Sequence, residues 1–164
     1  MTTNTRDSVG TYALEYRRLT EEWRVGFGEF CCEIERAGET EFFFPHAFTD
    51  AELDRRVRYA GLDLYYIAVE GPKVLGYGLL RGWDEGYAVP SLGIAIHPAA
   101  RSCGLGSSLM HFLHTAASRR DAEKVRLRVN RTNITAIDLY NRFGYEFEPA
   151  EGSYYVGFKQ LRRR

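Results

Sequence analysis

The chain predicts an α/β (α+β) fold in which a mixed sheet is flanked by helices. Three observations predict it. After a first strand come two helical segments, each opened by a capping residue; from Leu64 the apolar pattern changes to β-rich runs; and a later helix–strand–helix alternation closes on two further strands. The implied order is β-α-α-β-β-β-α-β-α-β-β.

Each element has its own signal. Tyr12 to Leu19 suits a first strand. Thr20 is then placed to cap a helix with Glu21 and Glu22 in its first turn, where the helix dipole favours acids. Trp23, Phe27, Phe30 and Ile34 recur at i, i+4, i+7 and i+11, one apolar stripe ending near Gly38. An aromatic segment, Glu41 to Phe48, leads to Thr49 with Glu52 three residues on, a capping-box pattern that opens a short helix to about Tyr59. Leu64 to Val69 and Val74 to Leu80 are strands joined by the hairpin signal Glu70-Gly-Pro-Lys73, and Ser91 to His97 is a third. Trp83 to Val89 reads as a loop. Leu105, Leu109, Phe112, Leu113, Ala116 and Ala117 recur at helical spacing; Val125, Leu127 and Val129 alternate along the strand Lys124 to Asn130. Thr132 or Asn133 starts a last helix, Gly144 stops it, and strands near Tyr145–Phe147 and Tyr154–Lys159 follow.

Composition narrows the function. No linker, repeat or low-complexity stretch divides the 164 residues, so residues 1–164 read as one continuous domain. Twenty-two basic residues balance twenty-two acidic ones, which leaves no electrostatic footprint for nucleic acid or an anionic membrane. The one basic cluster, Arg162 to Arg164, reads as a solvated tail. Three cysteines without CxxC spacing (Cys31, Cys32, Cys103) argue against a disulfide framework and against a zinc site, so no metal is expected. Met1 to Asp7 lacks the apolar centre of a signal peptide, and no run approaches the roughly 18 apolar residues of a membrane span. A cytoplasmic location, as monomer or homodimer, is the default expectation.

The most informative stretch runs from Ile94 to Met110. A strand and a proline lead to Arg101, Ser102, Cys103, Gly104, Leu105, Gly106 and Ser107, and then straight into an amphipathic helix. A helix N-terminus offers unpaired N–H groups and a partial positive charge, and glycines let the backbone approach a ligand closely. That combination suits a pyrophosphate. Taken alone, the two glycines equally suit a plain turn. The full dinucleotide G-x-G-x-x-G is absent, as is a P-loop lysine.

The wider segment, Ile96-His97-Pro98-x-x-Arg101-x-x-Gly104-x-Gly106, resembles the acetyl-CoA-binding motif of the GNAT N-acetyltransferase superfamily. One strand later, Asn133-x-x-Ala136-x-x-x-Tyr140-x-x-x-Gly144 resembles that family's closing motif. Asn133, Ala136, Ile137 and Tyr140 share one helix face, although cap, packing residue and core aromatic would explain them as well. The two motifs together, in order, carry the resemblance, which spans about residues 64–147. It implies a mixed, mostly antiparallel sheet of six to seven strands flanked by about four helices, with acetyl-CoA as co-substrate. It further implies that the backbone of Ile94, Ala95 and Ile96 meets the pantetheine arm, that residues 101–107 wrap the pyrophosphate, and that Asn133, Ala136 and Tyr140 line the cofactor. The family usually has glycine directly after the arginine, where this chain has Ser102. Cys103 reads as a bystander in the turn.

Transfer to an amine needs a neutral nucleophile, donors for the oxyanion and support for the departing thiolate. A backbone N–H near Ile94 or Ala95 suits the second task, and by resemblance Tyr140 serves the third. For the general base the candidates are Asp84, Glu85, His97 and His46, and a water chain ending at Glu85 or Ser91 is preferred. In the family the segment between the first two helices walls the acceptor site, which here nominates Phe44 and His46, with Trp83 opposite. An aromatic wall suits a small-molecule amine, such as an amino sugar; a hydrophobic plug between helix and sheet explains the same residues. The alternatives are a non-catalytic acetyl-CoA sensor or scaffold, a protein N-acetyltransferase, and a protein using the glycine turn for another phosphate ligand.

Overall fold

In the computed structural model, which describes residues 12–161, seven strands form one sheet covered on both faces by four α-helices. The segments Met1–Asp7 and Arg162–Arg164 lie outside the described residues. In chain order the elements are β1 (Leu14–Arg18), α1 (Arg24–Arg36), α2 (Asp50–Val57), β2 (Leu64–Glu70), β3 (Lys73–Arg81), β4 (Ser91–Ile96), α3 (Leu105–Arg119), β5 (Lys124–Asn130), α4 (Ile134–Arg142), β6 (Glu146–Pro149) and β7 (Tyr154–Gln160). This is the order that the sequence pattern predicts.

The helix starts differ in detail. Thr20 precedes a 3₁₀ turn at Glu21–Trp23 and makes no side-chain cap bond, so α1 begins at Arg24, later than the cap signal implies. Thr49 caps α2 as expected, its hydroxyl accepting the Glu52 N–H at 3.4 Å. Of the two candidates for the α4 cap, Asn133 takes the role, its side chain accepting the Ala136 N–H at 3.2 Å.

The strands run in the spatial order β1-β2-β3-β4-β5-β7-β6. Every neighbouring pair is antiparallel except β4 and β5. Strand alternation sends side chains to two cores. Tyr65, Ile67, Val69, Tyr77, Leu79 and Ala95 meet α1 and α2 on one face. Leu80, Leu92, Leu127 and Val129 meet α3 and α4 on the other. Helix α3 rides close to the sheet because β3 carries glycine beneath it. A Cβ at Gly78 would stand 2.9 Å from Leu113 Cδ1 and 3.1 Å from Leu109 Cδ1.

The pairing of β4 with β5 positions the site. Their only register partners are Ser91 and Arg126, with the Arg126 N–H bonded to the Pro90 carbonyl at 3.0 Å. Beyond that point the two strands part. On its other edge β4 stays paired to β3 as far as Ile96, and the His97 N–H still reaches the Leu75 carbonyl at 2.8 Å. Backbone groups alternate in direction along an antiparallel ladder. His97, Ala95 and Gly93 therefore bond toward β3, while Ile94 and Ile96 turn their N–H groups into the opening between β4 and β5. Among the expected backbone contacts this singles out Ile94 and Ile96; the amide of Ala95 is committed to the sheet.

Candidate active site

The opening between β4 and β5 leads to the turn before α3. Here Arg101 is extended, Ser102 has φ +60°, and Gly104 has φ +86°. Among the described residues, no carbonyl accepts from the amides of Ser102 through Ser107; the next N–H, of Ser108, bonds the Gly104 carbonyl at 3.0 Å. Those donors and the helix dipole form a cup for phosphate oxygens. The Ser102 backbone explains the family's usual glycine at this place: the left-handed region is open to glycine and costs other residues about 1–2 kcal/mol.

The side chain of Arg101 supports the turn. Its guanidinium donates to the Ile96 carbonyl at 3.2 and 3.3 Å and pairs with Glu39 at 2.9 Å, which ties the turn to the segment after α1. The Cys103 thiol donates to the Ala100 carbonyl at 2.9 Å, a local turn contact. His97 is buried, and its Nδ1 accepts the Ala99 N–H at 3.1 Å; burial, with Lys73 adding to it, pushes its pKa down.

Turn, strand and last helix converge. A Cβ at Gly106 would lie 3.7 Å from Leu139 Cδ2 and 3.8 Å from Ile96 Cγ1. The start of α3, the end of β4 and the residue preceding Tyr140 thus share one side of the molecule. Tyr140 is buried in the core between sheet, α3 and α4, with its ring 5.6 Å from that of Tyr145. Its hydroxyl bonds no described group, and burial pushes its pKa up to about 12. Ala136 and Ile137 pack into the same core, while Asn133 acts as the α4 cap.

On the other face of the sheet, where β4 and β5 are still joined, lies a cavity of about 720 Å3. That size suits a small organic molecule. Ser91 and Glu85, both nominated from sequence, line it together with Arg81, Arg126, Tyr87 and Phe158. Of the other base candidates, Asp84 accepts the Leu62 N–H at 2.8 Å and the Tyr59 hydroxyl, so its carboxylate fastens the loop. Glu85 makes no such bond to a described residue.

The aromatic residues nominated for the acceptor are not brought together. Trp83 packs on the α3 side, under the Arg120 guanidinium at 5.3 Å from its ring centroid. Phe44 and His46 lie on the opposite side, where Phe44 is exposed and edge-on to Phe48. His46 has both ring nitrogens engaged, by the Ala47 carbonyl at 2.9 Å and the Tyr77 hydroxyl at 3.0 Å, and burial lowers its pKa. The segment packs against the sheet through Phe43, which a Cβ at Gly93 would approach to 3.4 Å. None of Phe44, His46 and Trp83 lines the cavity. Its Arg126 carries no signal in the sequence, because an arginine alternating with Val125 and Leu127 has the pattern of any solvated strand face.

Residues 28–145 match the acetyltransferase (GNAT) family, and the chain belongs to that family. It is an acetyl-CoA-dependent N-acetyltransferase. Solved structures share the fold across nearly their whole lengths. A GCN5-related N-acetyltransferase from Kribbella flavida is 24% identical, with 91% of this chain and 98% of that one covered at a TM-score of 0.73. The PaiA N-acetyltransferase from Thermoplasma acidophilum, in complex with coenzyme A, is 16% identical over 90% of this chain and 99% of its own, also at 0.73. The ribosomal-protein-S18-alanine N-acetyltransferase from Escherichia coli is 14% identical, with coverage of 93% and 96% and a TM-score of 0.68.

Proposed function

We propose that this chain moves the acetyl group of acetyl-CoA directly to the amine of a small-molecule acceptor held in the cavity at Ser91 and Arg126. The observation that supports this is the placement of two sites on opposite faces of the sheet at β4 and β5: the amide cup with Tyr140 on the α3 and α4 side, and an open cleft beside the Ser91 and Arg126 pair on the other.

In this reading the amides of residues 102–107 hold the pyrophosphate, and the backbone of Ile94 and Ile96 holds the pantetheine arm as an added strand would. Bound acetyl-CoA supplies an activated thioester. The Ile94 N–H faces the opening, where it donates to the carbonyl oxygen as negative charge develops there. Tyr140 presents its phenol to the departing sulfur. Glu85 and Ser91 sit at the cavity wall, where Ser91 orients water and the Glu85 carboxylate accepts, through that water, the proton that the attacking amine loses. An amine of ordinary pKa near 10 arrives mostly protonated at neutral pH, so a proton acceptor on that side has a defined task.

A protein α-amine is the second reading, raised by the ribosomal-protein acetyltransferase among the similar structures. The volume of the cleft, about 720 Å3, matches a small organic molecule and favours the first reading. Two measurements test the proposal. Coenzyme A should raise the melting temperature where ATP and NAD do not, since a ligand bound only by the folded state stabilises by mass action. Release of CoA thiol should then be followed over a panel of amines and N-terminal peptides. Stabilisation without turnover on any of them would turn the assignment toward a non-catalytic sensor.

A further inference from the structure

The charged groups around the cavity do not all have partners, and the unpartnered ones describe the acceptor. Asp63 is used by the fold: its Oδ1 accepts the N–H groups of Gly82 and Trp83, each at 2.9 Å. Asp84 is committed to Leu62 and Tyr59. Arg56 pairs with Glu52 and donates to the Tyr65 hydroxyl at 2.6 Å.

Two guanidiniums remain. Arg81 spends one donor on the Pro45 carbonyl at 2.7 Å and, among the described residues, meets no carboxylate within ion-pairing distance. Arg126 has no side-chain acceptor among the described residues, although it stands at the one point where β4 and β5 still pair. Both line the cavity on the acceptor side of the opening. A guanidinium presents a planar fork of N–H donors that matches the two oxygens of a carboxylate or two oxygens of a phosphate. Among the described residues, Glu85 is the one lining carboxylate without a hydrogen-bond partner, and it suits a cationic or amine group.

Resting on the acetyltransferase reading above, we propose that the acceptor is an amino acid in the broad sense. It carries an acidic group held by Arg81 and Arg126, and an amine that is directed toward the opening between β4 and β5. A neutral amino sugar leaves both guanidiniums without a counter-charge. Carboxylate and phosphate satisfy the same fork, and the test separates them.

Matched acceptors are compared in pairs: α-amino acids against their amides and against the amines lacking the carboxylate, and amino alcohols against their phosphate esters. In at least one pair the acidic member should have the higher kcat/KM by about 10- to 150-fold, the range of a hydrogen-bonded charge. Arg126→Gln and Arg81→Gln should collapse that ratio toward one. Arg128→Gln should preserve it, because Arg128 lies on the same strand with its guanidinium over the Tyr154 ring at 3.9 Å. Coenzyme A stabilisation of each variant checks that it is folded. Saturation-transfer NMR of the same acceptors on the CoA complex reads binding without turnover. Acidic members that bind but are never acetylated would support the acceptor chemistry and sink the catalytic reading. Neutral amines acetylated as well as their acidic partners would overturn the proposal and leave the catalytic reading standing. Failure of every acidic member to bind would also overturn it.

Discussion

Tyr140→Phe is the sharpest single test of the site. The substitution removes one oxygen from a buried ring and leaves its packing against Tyr145 in place. Because that hydroxyl bonds no described group, its loss should change stability by less than about 1 kcal/mol. Catalysis should respond far more. Burial holds the phenol near 12. A thiol ionises near 8.5, so complete proton transfer from phenol to thiolate runs uphill by about 3.5 units, or roughly 5 kcal/mol. Tyr140 should therefore act as a neutral donor to the developing thiolate. Such a bond to a charged group is worth about 1.5–3 kcal/mol, equivalent to a 10- to 150-fold fall in kcat, while the KM for acetyl-CoA should move less than about threefold. CoA thiol release under steady-state and single-turnover conditions reads both. The same burial keeps the phenol protonated well above neutral pH, so parent and variant should show the same alkaline behaviour to about pH 10. A single-turnover rate in Tyr140→Phe within about threefold of the parent would refute the argument, as would a loss confined to KM.

Three further outcomes test the scaffold. His114 is buried, its Nε2 2.8 Å from the Tyr145 hydroxyl, and burial followed by the charges of Lys159 and His111 lowers its pKa from 6.5 to about 4. The folded state thus resists protonation, so the stability this imidazole confers is complete above pH 6.5 and is lost as pH falls toward 4, by about 3 kcal/mol at most. Urea midpoints across that range should fall less steeply in His114→Gln, and parallel curves would contradict the assignment. Gly78→Ala should cost about 1–3 kcal/mol by overpacking against Leu109 and Leu113; an unchanged urea midpoint would show that α3 can shift freely. Ser102→Gly should raise stability by about 0.5–1 kcal/mol, the left-handed cost less the extra chain entropy of glycine, with CoA affinity kept within about twofold. A lower melting temperature would mean that the serine side chain holds the turn.

Much of the fold is legible in the sequence because its signals are local. The stripe Phe27, Phe30, Ile34 is the buried face of α1, and Thr49 with Glu52 opens α2. Gly104 stands where the backbone turns left-handed before α3, and the spacing from Asn133 to Tyr140 makes the first the cap of α4 and places the second on it. Caps, periodicity and backbone freedom act within a few residues, so a linear reading reaches them. The resemblance of the two motifs to an acetyl-CoA site belongs to the same class of information.

Other features depend on strands that meet from far apart in the chain. Only the assembled sheet puts β5 beside β4, stops their pairing after Ser91 and Arg126, and so separates the amides of Ile94 and Ile96 from that of Ala95. The cavity lies beside the paired end of the same two strands. It gathers Arg81, Glu85, Ser91, Arg126 and Phe158, while Trp83 goes to the far side with α3 and Phe44 stays at the surface. Sequence alone settles which segments are helix, strand or phosphate-binding turn, since each is stabilised by its near neighbours. The tertiary structure decides which charges remain unpaired around the acceptor cavity, because a charge finds its partner through space and not along the chain.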